Sequence, residues 1–228
     1  LPKMGTRVVQ DVISETKPKS FADLISLSGL THGTGVYYGN AQNLIQDGVA
    51  TIDTVIGCRD DIMRYLIDKG VEPSLAFTIT ESVRKGKGLK EDLEKEMRDK
   101  KVPDWYIWSC NQIEYMFPRA HASAYVLDAT RTGYFKVFHP LEFYASVFSS
   151  RYNDENIFDL LKDVEKTKDR IKEIDEEIKE KESIGEANAA GKLKRTKTAL
   201  TIALEAKYRG IKFGSVRLYE SHEHLVLL

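Results

Sequence analysis

Apolar positions recur at helical rather than strand spacing along almost the whole chain. Between Thr6 and Thr16 they are Val8, Val9, Val12 and Ile13, and Lys17-Pro18 closes the run. Ser20 is placed to cap a second helix carrying Phe21, Leu24, Ile25 and Leu27, which stops at Gly29. Gly29 to Gly39 holds four glycines in eleven residues and reads as a loop. Its length suits a functional loop, with a plain interhelical connector as the other reading. Asn40 to Gln46 predicts a short helix. Gly57 to Ile67 predicts another, with Asp60 as N-cap and Gly70 as its stop. Pro73 opens a helix with Leu75, Phe77, Ile79 and Val83, which runs into Arg84-Lys85-Gly86-Lys87-Gly88. Lys90 to Lys101 reads as an exposed helix. Pro103 to Cys110 begins the next, with Trp105, Tyr106 and Trp108 read as core.

Pro118 has no N–H, so it fits the first turn of a helix. That helix continues through Val126, Leu127, Thr130, Tyr134 and Val137 to His139, where Pro140 breaks it. Leu141 to Arg151 follows, with Phe143, Tyr144, Val147 and Phe148. From Asp154 to Glu182 the chain is charge-dense, with Ile157, Leu161, Val164, Ile171, Ile174 and Ile178 at helical spacing. Lys168 and Asp175 interrupt the stripe, so it predicts an exposed helix with one partner rather than a long coiled coil. Ser183 to Gly191 reads as a linker. Lys192 to Tyr208 returns as a helix with Leu193, Leu200, Leu204 and Tyr208, closing an antiparallel hairpin. Ile211 to Phe213 and Val216 to Tyr219 are candidates for short extended pieces. The expectation is an all-α fold with a long C-terminal helical hairpin and at most minor β structure at the C-terminal end.

Composition narrows the partners. The 228 residues are 42% hydrophobic and 30% charged, which suits a folded, water-soluble chain. Lys and Arg number 34 against 35 Asp and Glu, so any nucleic-acid contact must come from local basic patches. Cys58 and Cys110 form no Cys-x-x-Cys pair, which argues against zinc and a disulfide scaffold and for buried thiols in a reducing cytoplasm. No run of about 18 apolar residues exists, so no membrane span is expected. The N-terminus lacks the apolar core of a signal peptide, and both ends read as cuts through a longer protein.

The stretch with most chemistry is Tyr115-Met116-Phe117-Pro118-Arg119-Ala120-His121-Ala122-Ser123-Ala124-Tyr125. Small residues at 120 and 122–124 let another surface approach. His121 and Tyr125 are four apart and share a helix face. Arg119 sits in the first turn, beside backbone N–H groups and the positive end of the helix dipole. Such a set suits a phosphate-bearing ligand; the competing reading is a buried helix whose Tyr and His find local partners. Asp60-Asp61 resembles a metal pair, but neighbours on a helix diverge by about 100°, which favours capping. Arg84-Lys85-Gly86-Lys87-Gly88 is a phosphate clamp or a set of dipole-favoured cations. It lacks the order of a Walker loop. The basic run Lys192 to Lys197 reads as a solvated face.

With these segments on the page, the chain resembles the C-family bacterial replicative polymerases, the alpha subunit of DNA polymerase III of the PolC type. The resemblance rests on Lys17 to Leu24, Ser28 to Thr34, Gly39 to Gln42, Val55 to Ile62, Glu81 to Gly88, Tyr115 to Tyr125, Phe135 to Leu141 and Tyr144 to Ser146, in the family's order and spacing. It covers nearly the whole chain and is weakest from Lys179 to Lys197.

The resemblance implies an all-helical fingers domain of a DNA-directed DNA polymerase, a nucleotidyltransferase. Residues 1–152 would be the fingers core, 153–210 a charged hairpin extension, and 211–228 the start of a connection to the next domain. The palm, whose aspartates hold two Mg2+ ions, would lie upstream, so this segment would hold no catalytic residue and no metal and would be inactive alone. Arg119, where the family often has Lys, and His121 would contact the triphosphate. Tyr125 would pack near the incoming nucleotide, and His32 would line the nascent-pair pocket. Arg84, Lys85, Lys87 and Arg131 would contact phosphate or template. His121 would serve as hydrogen-bond donor or general acid to pyrophosphate. The implied partners are primer–template DNA, a deoxynucleoside triphosphate, the palm, thumb and helix-hairpin-helix domains, and a sliding clamp through other regions, in the cytoplasm. The alternative is a non-catalytic helical nucleic-acid or protein-interaction module. Near-neutral charge counts against autonomous DNA binding, and an Asp-x-Asp palm signature upstream would discriminate the two.

Overall fold

The computed structural model describes residues 1, 4–152 and 156–215. The described residues are mostly helical, with no strand among them and no helix long and apolar enough to cross a membrane. Two compact units are present, Leu1–Gly133 and Tyr134–Leu228. The division falls inside a continuous helix, ahead of residue 153, where the charge density of the sequence rises.

In the first unit, α1 (Arg7–Thr16) buries Val9 and Val12 and leaves Val8 exposed. Helix α2 (Phe21–His32) starts on a capping box: the Ser20 hydroxyl accepts Asp23 N–H, and the Asp23 carboxylate accepts Ser20 N–H. The expected stop at Gly29 does not occur. Three further residues are helical, and the supposed loop begins at Gly33. Gly29 serves packing instead: a Cβ there would lie closer than 3.0 Å to the Gly57 carbonyl and the Cys58 sulfur. Helical geometry persists because tertiary packing overrides the weak propensity of glycine. Tyr37–Ala41 forms a π-type turn broken at Tyr38 and Gly39, and only Gln42–Gln46 (α3) of the expected short helix is regular.

Helix α4 (Arg59–Asp68) buries Ile62 and Leu66, and Tyr65 stacks on Tyr106 at 4.2 Å. Its first turn is tied by Asp61, whose carboxylate accepts Cys58 N–H at 2.8 Å. The expected cap, Asp60, reaches another helix. Glu72 caps α5 (Pro73–Arg84), which buries Ala76, Ile79, Thr80 and Val83 and exposes Phe77. Helix α6 (Glu91–Asp99) is largely exposed, with Met97 buried and Leu93 packed against the core. Helix α7 (Asp104–Gln112) buries Tyr106, Ile107 and Cys110, whereas Trp108, read as core, is on the surface. Each fully buried Leu or Ile of this core contributes about 1.5–3 kcal/mol. Helix α8 (Arg119–Phe138) begins one residue after Pro118 and meets its unit through Ala122, Val126 and Ala129. The expected apolar positions Leu127, Tyr134 and Val137 are exposed.

The second unit holds α9 (Pro140–Arg151), α10 (Ile157–Leu161), α11 (Val164–Ser183) and α12 (Ala187–Tyr208). The single helix expected from Asp154 to Glu182 is interrupted, because Asp163 accepts Lys166 N–H and starts a new helix. The linker is shorter than expected, Ile184 to Glu186, because Ala187, Ala189 and Ala190 are strong helix formers. Glu182 pairs with Lys194, Asp175 with Lys197, and Thr167 with Lys207, so the two long helices run antiparallel. Alanines do much of the packing on α12: Ala199, Ala203 and Ala206 are fully buried with Leu200, against Ile174 and Ile178. Leu200 of the stripe read in the sequence is fully buried and Leu193 packs beside it, but Leu204 is half-buried and Tyr208 exposed, so over the last two turns the buried face is that of Ala203 and Ala206. Burial of the Lys207 ammonium, which donates to Lys162 O and Thr167 Oγ1, holds its pKa below the usual value. Ile211 to Phe213 has no regular structure, and Val216 to Tyr219 lies outside the described residues.

Candidate functional site

The segment 111–119, from the last turn of α7 through the connection to the first residue of α8, is the hub on which the glycine-rich and charged motifs of the first unit converge. Ile113 and Met116 anchor it in the core. On one edge it makes the isolated antiparallel bridge of the described residues. Thr34 N–H donates to Tyr115 O at 2.8 Å, and Thr34 O accepts from Glu114 and Tyr115. Gly33 and Gly35 flank that bridge. A Cβ on either would lie closer than 3.0 Å to the Tyr115 or Gln112 carbonyl. Buried Asn40 locks this loop to α7, donating to Gly35 O at 2.8 Å and accepting from Ser109 Oγ at 2.7 Å.

The basic turn meets the same hub. Gly86, at φ +67°, lets the chain turn against the Glu114 carbonyl, where a Cβ would clash, and Leu89 N–H donates to Asn111 Oδ1 at 2.8 Å. Glu81 gathers the turn's cations. It accepts two bonds from Arg84, at 2.9 and 2.7 Å, and pairs with Lys85 at 3.2 Å. Those hydrogen bonds hold the Glu81 carboxyl well below its usual range, at about 2. Lys87 is exposed beyond them.

The third approach is from α4. Arg59 N–H donates to Phe117 O at 3.1 Å. Asp60 Oδ2 accepts Arg119 N–H at 2.6 Å, and Asp61 Oδ1 accepts Arg119 Nη1 at 2.7 Å. Asp60 thus caps α8 rather than its own helix. The adjacent pair does not fit a metal: three of its four oxygens already accept N–H donors, from Cys58 and from Arg119 twice. Burial, then the neighbouring Asp61, pushes the Cys58 thiol up to about 12, and burial raises that of Cys110 further. Both thiols are free, buried and neutral.

A row of rings runs from the connection onto the start of α8. Tyr115 meets Phe117 edge-on, Phe117 stacks on His121 at 4.8 Å, and His121 meets Tyr125 edge-on at 4.7 Å. His121 and Tyr125 therefore do share a face, and both are half-buried. His32 lies on the last turn of α2, with Nδ1 2.6 Å from Ser28 O, which places a proton on Nδ1. It neighbours Gly33, at the edge of the hub. Arg131 is exposed, about 18 Å along the α8 axis from Arg119. Arg119, His121 and Tyr125 stand in the first two turns of α8, and Arg84, Lys85, Lys87 and His32 lie on or beside elements that touch the 111–119 segment. Arg131 is on α8 as well but about three turns further along. Sequence reasoning assigns no site role to Asn40, Ser109 or Glu81, although Asn40 and Glu81 lie in motif segments. The Asn40–Ser109 bond spans 69 residues, whereas Glu81 meets Arg84 and Lys85 only three and four residues on.

Residues 1–102 match the family described as the bacterial DNA polymerase III alpha subunit finger domain. The class is thus a polymerase finger domain. The DNA polymerase III PolC-type of Oceanobacillus iheyensis is 50% identical over 221 residues, 97% of this chain and 15% of that protein. That of Bacillus subtilis is 49% identical over the same shares, and that of Caldanaerobacter subterraneus subsp. tengcongensis 47% over 100% of this chain and 16% of its own length. The chain belongs to the PolC-type DNA polymerase III family and contains its finger domain. It spans 15% of the length of the first of these relatives.

Proposed function

We propose that this segment is the part of a DNA-directed DNA polymerase that receives the incoming deoxynucleoside triphosphate and covers the nascent base pair. The observation that supports it most is the start of α8, where Arg119, His121 and Tyr125 stand within the first two helix turns. Arg119 supplies a cation to the triphosphate, and His121 donates a hydrogen bond to it or a proton to the leaving pyrophosphate. Tyr125 packs against the nucleotide. His32 lines the pocket from α2, Arg84, Lys85 and Lys87 contact phosphate or template, and Arg131 contacts the backbone further along α8. The reaction is attack of a primer 3′-hydroxyl on the α-phosphate with loss of pyrophosphate. Mg2+ belongs to carboxylates of a palm domain elsewhere in the longer protein. The partners are primer–template DNA, the palm, thumb and helix-hairpin-helix domains, and a sliding clamp bound through other regions, all in the cytoplasm.

In the full polymerase, Arg119→Ala is expected to raise the nucleotide KM or lower kcat at least about tenfold, equivalent to about 1.4 kcal/mol. Wild-type steady-state kinetics in that variant would remove the assignment. The purified segment is expected to incorporate no nucleotide in a primer-extension assay with Mg2+, and extension by it would overturn the division of labour.

A further inference from the structure

We infer that Asp61, with Asp60 beside it, is a positioning residue that sets the Arg119 guanidinium in its receiving orientation. This rests on the proposed role of Arg119 at the triphosphate. The two carboxylates grip one residue at two places. Asp60 holds its backbone N–H at 2.6 Å, and Asp61 holds its Nη1 at 2.7 Å. The Asp61 carboxylate is itself held, because its second oxygen accepts Cys58 N–H at 2.8 Å. Cys58 is fully buried against Gly29, where not even a methyl group would fit. The frame behind Arg119 is therefore core, although the Arg119 side chain itself is 30% exposed.

The single bond to Asp61 separates a brace from a lock. A guanidinium has five N–H donors in a planar fork. Arg84 spends both Nε and Nη2 on Glu81, a bidentate grip, whereas Arg119 gives Asp61 only Nη1. The remaining donors of Arg119 can take phosphate oxygens without breaking the pair. A side chain already held in place loses less rotamer freedom on binding, which favours the bound state. A competing carboxylate, displaced by the nucleotide, would act in the opposite direction, and the two differ in sign.

The test is a double-mutant cycle in the full-length polymerase with primer–template and a deoxynucleoside triphosphate. Asp61→Asn keeps an oxygen for Cys58 N–H while weakening the hold on Arg119. It is expected to lower kcat/KM roughly fivefold, mainly through KM, with partial recovery in Asp61→Glu. On an Arg119→Ala background the same substitution should have almost no further effect. A lowered KM in Asp61→Asn makes the carboxylate a competitor and overturns the inference, as does an equal loss on both backgrounds, which marks a purely structural role. Impaired Arg119→Ala with unimpaired Asp61→Asn removes this inference alone, whereas unimpaired Arg119→Ala removes the underlying reading of Arg119. If Asp61→Asn does not fold, Asp61→Glu runs the same cycle, with a smaller loss expected on the wild-type background and almost none on Arg119→Ala.

Discussion

The two units use charge and glycine in opposite ways. In the second unit most ion pairs are local or run between adjacent helices. Examples are Lys168 with Glu165, Arg170 with Glu173 and Lys172 with Asp169, all three residues apart, and Lys197 with Asp175 across the hairpin. They order a solvated surface, and each contributes little. In the first unit, Arg119 is held by Asp60 and Asp61 across 59 and 58 residues, at the start of a helix and backed by a buried core. The glycines follow suit. Gly29 lies within α2 with no room for a methyl group, whereas Gly191 lies within α12 with nothing within 4 Å of where a Cβ would be. Charge density alone is thus a poor guide to chemistry here. The unit richer in charge spends it on solubility and helix pairing, and the sparser one places a few charges by tertiary contact.

The sharpest way to break this comparison is to make the same substitution in both units. Gly29→Ala is expected to destabilise the first unit by about 3 kcal/mol, because backbone carbonyl and buried sulfur must both move. Gly191→Ala is expected to stabilise the second by about 0.5–1 kcal/mol, since it adds helix propensity at an exposed site. Urea denaturation of each variant measures both, and equal signs would dissolve the contrast. The smallest effect concerns Glu81. Its carboxyl lies at about 2 in the folded chain against a usual 4.5, so its contribution is complete above about 4.5 and disappears as the pH falls through about 2. Glu81→Gln should therefore cost about 0.5 kcal/mol at neutral pH and converge with the wild type toward pH 2. A constant difference across that range would show that Glu81 acts through packing instead.

The helical frame of the candidate site is legible in the amino-acid order alone. Helical spacing marks α1, α2, α5 and α8, and the placing of His121 and Tyr125 on one helix face, two residues past Arg119, follows from their separation. Three readings fail for related reasons. Gly29 reads as a helix stop because propensity is local, yet its neighbour in space, Gly57, comes from 28 residues on. Asp60 reads as a cap for its own helix and caps α8 instead. The apolar stripe of α12 reads through Leu204 and Tyr208, whereas close helix approach selects Ala203 and Ala206.

What the sequence determined by itself is whatever depends on residues within a turn or two of each other: the all-helical class, most helix starts, and the shared face of His121 and Tyr125. Only the tertiary structure decided which carboxylate meets which cation, and which glycine serves close packing rather than a turn. Helix periodicity and capping are short-range effects repeated along the chain. The Asp60–Asp61 grip on Arg119 exists only once α4 and α8 have packed, and no spacing in the sequence encodes that distance.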